Sequence, residues 1–319
     1  MDIIIVCHTE FGFIRNKRMI FDKKAFQGVK DGAPNLIKLA KKYGAKITFV
    51  VCPEVVDYFP KNTGQEVGLH IHPGWEEFER IGLKWHVGDM YLKEHCHQSS
   101  ISTVLQDHSY SEQFTLIKTG KEYIKNKLGV EPKVFVAGRG SLNNDTIKAL
   151  VENGLTHDCS PIANKKLPYF DWSKLSRICM PYHPSSEDYQ KKGDLPILII
   201  PCSQTIFRMG IAPESVPSYG LSWFRVCFSE YYKQNAPLFH IFTHSPAMTD
   251  SYYLSVMDYF LSFISKHDNI NFKFVSEIKE YPARAGRPSA NFKTKLLPYA
   301  FAFNKEIAKT IIRKFFGKS

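Results

Sequence analysis

The segment Glu66-Val-Gly-Leu-His-Ile-His-Pro-Gly-Trp75 decides how this chain is read. Its apolar run predicts a β-strand from Val67 to Ile71, and at the strand's end stand two histidines two residues apart, His70 and His72. On a strand, positions i and i+2 face the same way, so both imidazoles can converge on one point. Two neutral imidazoles joined by a carboxylate from elsewhere form an open metal site that keeps a coordination position for water. Taken alone, a His-x-His pair is more often two surface or core histidines than a ligand pair. Its weight therefore depends on what the other strand ends carry.

Working outward, apolar strand-like runs alternate with helical patterns. Strands are predicted at Ile3 to Cys7, Ile47 to Cys52, Val134 to Ala137, Ile197 to Ile200, Leu238 to Phe242 and Phe272 to Val275. Helices are predicted at Pro34 to Tyr43 with Gly44 closing it, Phe114 to Leu128 ended by Gly129, Asp145 to Glu152, Leu221 to Tyr232 and Tyr252 to Ser265. This order argues for parallel strands joined by crossover helices. His8 and Glu10 follow the first strand, Arg139 follows Val134 to Ala137, Asp158 follows a short run near Leu155, and His244 follows Leu238 to Phe242. In a parallel α/β barrel the C-terminal strand ends gather on one face, where residues distant in sequence build one site. Several independent polar groups falling at such ends form a stronger signal than any one motif.

The chain has 319 residues, 44% of them hydrophobic, enough for one large core and within the size range of a single α/β barrel. The start, Met1 to Val6, has too short an apolar run for a signal peptide, and no stretch is long enough to span a bilayer, so a cytoplasmic body is expected. Seven cysteines without metal-type spacing fit a reducing compartment, with Cys7 and Cys52 read as buried thiols in strand contexts. The formal charge of +11 is concentrated at one end: Arg284 to Lys318 holds nine Lys or Arg against one acid, Glu306, a net +8 that leaves +3 for the remainder. The basic balance thus describes a tail and does not call for nucleic acid as a partner of the body. No phosphate-binding glycine motif and no Gly-x-Ser-x-Gly elbow occurs, so phosphate-loop and serine-esterase chemistry have no support.

The motifs taken as an ordered set resemble the polysaccharide deacetylases with NodB homology, carbohydrate esterase family 4. EVGLHIHP (66–73) looks like their metal-binding histidine motif, FVAGRGSLNNDTIKALVENGL (135–155) is similar to their arginine motif, and FHIFTHSP (239–246) resembles their late histidine motif. HDCSP (157–161), FDWSKL (170–175), PYHPSS (181–186) and ILIIPCS (197–203) look closest to a bacterial subgroup encoded with surface-polysaccharide biosynthesis functions. The resemblance covers Met1 to Tyr281. It implies a distorted parallel (β/α) barrel over 1–282 and metal-dependent removal of N- or O-acyl groups from sugars, and the charge pattern adds a basic tail over 283–319. Two departures stand out. The family's first motif carries an acidic pair where this chain reads Cys7-His8-Thr9-Glu10, and its second histidine position falls here on Gly74, so that His72 must replace it.

On that resemblance Glu10, His70 and His72 are expected to hold a divalent cation, zinc by ligand type with nickel, cobalt or iron sharing the same preferences, and His8 to act as base. The alternative, a His8, His70 and His72 cation site with Glu10 as base, stays open here. His244 is expected to protonate the departing amine, Arg139 to hold a carboxylate or imidazole in place, and Asp158 to orient His244 or His8; each is also compatible with a packed strand end or a turn. Trp75 is expected to stack on a sugar ring or to fill the barrel rim. His95, Cys96 and His97 fit a solvated loop better than a second metal site.

The substrate expected is a sugar, nucleotide-sugar or lipid-linked glycan. In the tail, Ile307, Ala308, Ile311, Ile312 and Phe315 recur at helical spacing among Lys305, Lys309, Arg313, Lys314 and Lys318, a basic amphipathic helix suited to an anionic membrane surface or to packing on the barrel. Two other readings compete: an amidohydrolase-type barrel, whose His-x-His pair normally follows the first strand, and an inactive relative that binds glycan without turnover.

Overall fold

The computed structural model describes residues 1–15, 18–20, 24–73, 102, 104–206, 210–281 and 296–305. In chain order the strands among them are β1 (Asp2–Thr9), β2 (Phe13–Arg15), β3 (Arg18–Ile20), β4 (Thr48–Val51), β5 (Glu66–Ile71), β6 (Val134–Ala137), β7 (His157–Asp158), β8 (Lys166–Leu167), β9 (Phe170–Asp171), β10 (Leu198–Ile199), β11 (Leu238–His244) and β12 (Asn271–Phe272). The principal helices are α1 (Ala33–Tyr43), α2 (Tyr110–Leu128), α3 (Asn144–Glu152), α4 (Leu221–Lys233) and α5 (Ser251–Ile264). Their limits follow from local chemistry. Pro34 opens α1 and left-handed Gly44 (φ 63°) closes it. α2 begins one turn before Phe114 because Ser109 and Glu112 form a reciprocal capping box, and α3 begins where Asn143 Oδ1 accepts from Thr146 N at 2.9 Å.

The main sheet runs β10-β7-β6-β5-β4-β1-β11, all parallel, and β12 pairs with the start of β1. β11 lines one edge of β1 from Asp2 to His8, while the other edge is shared by β12 at Asp2 and Ile3 and by β4 from Val6 onward. The two outer strands do not ladder to each other. The stretch after β10 bridges them instead, with Ser203 N donating to His240 O at 3.2 Å and Phe242 N to Ile211 O at 3.0 Å. The result is a parallel sheet curled into a half-barrel, the distorted (β/α) barrel expected.

The strand alternation sorts side chains cleanly. Ile3, Ile5, Phe49, Val51, Leu69, Ile71, Phe135 and Ala137 pack outward under the helices. Ile4, Val6, Val50, Val134, Val136, Leu198, Ile200 and Leu238 fill the concave interior as a second buried cluster. His8 continues the interior register two residues beyond Val6, and the same period carries His70 on β5 and His244 on β11. Burying such aliphatic side chains contributes about 1.5–3 kcal/mol each, which fixes the register and with it the direction of the histidines.

Differences from the sequence expectations are local. β1 and β11 run two residues further than predicted, so His8 and His244 lie in the strands and not after them, and Asp158 is likewise inside its two-residue strand. β12 ends at Phe272, and Val275 opens a short 3-10 turn. The hairpins β2–β3 and β8–β9 were not anticipated. The segment 283–319 is not uniformly a tail: a helix at 296–305 packs on α4 through Tyr299 and Ala302, 1% and 3% exposed. The predicted amphipathic stripe from Ile307 to Phe315 lies outside the described residues.

Candidate active site

Adjacent strand ends bring the site together. His8 on β1 pairs in register with His244 on β11, and on its other side with Val50 of β4, next to β5 with His70. Glu10 follows β1 directly and is clamped by Ser245: Glu10 N donates to Ser245 Oγ at 3.1 Å, and that hydroxyl donates to Glu10 O at 3.2 Å. The Glu10 Oε2 atom lies 3.6 Å from His70 Nε2 and 3.4 Å from His72 Nε2. His70 Nδ1 donates to the Val136 carbonyl at 2.8 Å, which fixes the tautomer and leaves Nε2 as the lone-pair nitrogen. That Nε2 is buried without a hydrogen-bond partner. A buried acceptor without a partner, facing a carboxylate and a second imidazole, is a donor set that could hold a divalent cation.

His72 owes its position to Gly138. A Cβ there would lie 2.4 Å from His72 Nδ1 and 2.6 Å from Ile71 O, so only glycine lets the imidazole lie against β6. Burial pushes His72 down to about 4, which keeps it a neutral donor. Burial opposes ionisation of Glu10, yet the His70 and His72 imidazoles and the nearby His244 hold its carboxyl well below the usual range. Cys52, read from the sequence as a buried strand thiol, joins the group: its Sγ, a Glu10 oxygen and a His70 nitrogen all lie within 4.8 Å of one another. Like His72 it stands one residue past the end of its strand.

Beside the carboxylate lies an acid–base pair. The His8 ring is 4.9 Å from His70 and 4.8 Å from His244. Burial, then the neighbouring His244 and His70 imidazoles, lower its pKa well below the ordinary histidine value, so His8 is neutral. His244 is the opposite case. Burial alone would lower it, but Glu214 and the more distant Glu10 prevail and raise it to about 9. Glu214 Oε1 accepts from His244 Nδ1 at 3.1 Å and from His244 N at 2.7 Å, leaving Nε2 for another partner. Environments that push two neighbouring histidines apart in this way prepare one as base and one as acid.

Glu214 was not anticipated. It sits in the short 3-10 turn Pro213–Ser215, where neither periodicity nor motif marks it. Of the two readings of Asp158, an orienting group for a histidine or a turn stabiliser, the hydrogen bonds match the second: fully buried Asp158 accepts from Ser160 Oγ and from Ser160 N at 3.3 Å, while Ala137 N donates to Ser160 Oγ at 2.8 Å. Asp158 therefore ties β7 to β6. Arg139, expected to hold a carboxylate or imidazole, makes no such hydrogen bond among the described residues; it is exposed, with left-handed backbone (φ 60°), and its guanidinium lies 5.7 Å from the Tyr169 ring. Trp75, Gly74, His95, Cys96 and His97 lie outside the described residues.

Against solved structures the chain matches a protein from Mycobacterium smegmatis assigned to the polysaccharide deacetylases, with TM-score 0.54 and 15% identity over 90% of this chain and 94% of that one. The fold is of the polysaccharide deacetylase type. An allantoinase has it too, with TM-score 0.55 and 14% identity over 86% of this chain and 88% of that one. So does a 4-alpha-glucanotransferase from Thermococcus litoralis, with TM-score 0.54 and 12% identity over 87% of this chain and 40% of the larger enzyme. No family model and no curated protein sequence matches the chain. One fold thus carries several activities, and the reaction has to be read from the site.

Proposed function

We propose that this chain is a metal-dependent hydrolase of carbohydrate esterase family 4 that removes an acyl group, N-acetyl in the first instance, from a sugar during surface-polysaccharide biosynthesis. The observation that carries the reading is the partnerless, buried His70 Nε2 facing Glu10 and His72. These three residues would hold the cation, zinc by donor type, and Cys52, whose Sγ lies within 4.8 Å of donor atoms of Glu10 and His70, stands as a fourth donor. Glu10 Oε2, within 3.6 Å of both imidazoles, favours the carboxylate as ligand over the arrangement that makes it the base.

When bound, the cation polarises the acyl carbonyl and makes the attacking water acidic. His8, neutral and beside the ligands, accepts a proton from that water as its oxygen bonds to the carbonyl carbon. His244, protonated and held by Glu214, gives its proton to the sugar nitrogen as the C–N bond breaks, so the nitrogen leaves as an amine and not as an anion. Arg139 beside Tyr169 offers a cation and an aromatic face to the glycan at the rim, and Trp75, close after His72 in sequence, is assigned the same duty.

The substrate is a sugar, free or on a nucleotide or lipid carrier, met on the inner face of the cell membrane. The sequence segments that resemble the biosynthetic subgroup support that placement.

The test is acetate release from N-acetylated sugars by zinc-loaded protein, with allantoin assayed in parallel because an allantoinase shares the fold. Acetate lost on chelation and restored by metal is expected. Turnover of allantoin alone would move the reaction to the cyclic-amide class, and metal binding without any turnover would make the chain a glycan-binding relative.

A further inference from the structure

The helix at 296–305 is anchored on its inner side and apolar on its outer side. Tyr299 Oη donates to Glu230 Oε2 at 2.5 Å, Glu230 Oε1 pairs with Arg177 at 2.6 Å, and the Tyr299 ring lies 5.7 Å from Trp223. This buried triad fixes the helix rigidly against α4. From the other side Leu296, Leu297 and Phe301 project, 66%, 82% and 74% exposed, while Phe303, 49% exposed, turns back to within 6.2 Å of the Trp223 ring. With Phe303 they make four of the seven large exposed hydrophobics among the described residues, gathered on ten consecutive positions. A soluble surface scatters such side chains singly, and a contiguous group marks a contact.

Two observations say what covers it. The face is bracketed in sequence by cations, Lys293 and Lys295 before it and Lys305 and Lys309 after it, within the end segment of net +8. A second copy of this chain would bring an equally basic segment against it and be repelled, whereas an anionic lipid surface matches both the charge and the apolar side chains. Beside the helix, moreover, lies a groove of about 540 Å³ whose lining includes the cations Arg225, Lys233 and Lys305, the rings of Phe263 and Phe301, and Glu230, whose carboxylate is already engaged by Arg177 and Tyr299. Cations at its edge and aromatic rings in its wall suit an anionic headgroup and the start of an acyl chain.

We infer that the 296–305 helix is a membrane-docking element that seats the barrel on an anionic bilayer through Leu296, Leu297 and Phe301, with Lys305 at the headgroups. Because Tyr299 locks the helix to the barrel, docking sets the orientation of the whole body and is no loose tether. The inference is independent of the reaction proposed above.

The test uses the full chain and sedimentation with vesicles of phosphatidylglycerol or of phosphatidylcholine, at low and at high salt. Wild type should bind the anionic vesicles, release them as salt rises, and ignore the neutral ones. L297E/F301E, altered at the two most exposed positions of the helix, should bind at least ~10-fold more weakly with an unchanged melting temperature and unchanged acetate release. Three results would overturn the inference: wild type ignoring anionic vesicles at low salt, L297E/F301E binding them as wild type does, or a wild-type dimer that dissociates in this variant, which would assign the face to a second copy.

Discussion

At the residue scale the two histidines His8 and His244 divide the proton work because their surroundings differ, not because their side chains do. His244 faces Glu214 and keeps its proton to about pH 9, whereas His8 faces only other imidazoles and apolar walls apart from Glu10. A general acid must be protonated, so turnover should fall as pH rises through about 9. Glu214→Gln removes the charge that holds the proton, and should move this alkaline limb down toward the ordinary histidine range while leaving the amount of bound metal unchanged. A limb that stays near 9 in that variant, measured as kcat/KM against pH, would free Glu214 of the role. His244→Ala should lower turnover by about 10²-fold or more, again at unchanged metal content. The pair His70 and His72 was legible in the sequence because strand period alone puts both on one face. Glu214 was not, since a carboxylate reaching in from an irregular turn obeys no period, and Cys52 was visible as a strand-end residue whose neighbours only the fold supplies.

At the scale of elements, strand limits decide what a polar residue does. Asp158 looked like a site residue because it follows an apolar run, yet it is a member of β7, and its hydrogen bonds with Ser160 join that strand to β6. Burial raises its pKa to about 7, against an ordinary value of 3.8. A raised folded-state pKa means that the stabilisation is complete below about 4, declines as pH rises toward 7, and is gone above it. Asp158→Asn should therefore flatten the fall in melting temperature between about pH 4 and 7 and leave turnover nearly intact; a large loss of turnover per folded chain would return Asp158 to the active site. Gly138 marks the β6 end in a comparable way. Gly138→Ala would force the new methyl against the His72 ring and the Ile71 carbonyl, and should weaken metal binding by about 10–100-fold, as loss of ligand support commonly does, in a protein that still folds. Metal affinity equal to wild type would mean that His72 is not held there.

At the scale of the molecule, one parallel sheet curled into a half-barrel collects β5, β4, β1 and β11 side by side, so that residues from 8 to 244 meet at a single mouth. That architecture was legible because the apolar runs alternate with helices through the whole body and end in polar residues at the same relative place. What the sequence kept hidden were the parts without period: the hairpins, the bridging stretch between β10 and β11, and the docking of Tyr299 on α4 that joins the basic end to the body. The central claim is that Glu10, His70 and His72 hold one divalent cation. It is tested most directly by equilibrium dialysis against zinc followed by elemental analysis of wild type and of H70A/H72A. One metal per chain in wild type, and none above background in the folded double variant, is the result predicted. Equal zinc in both proteins, or no zinc in either, would contradict the account.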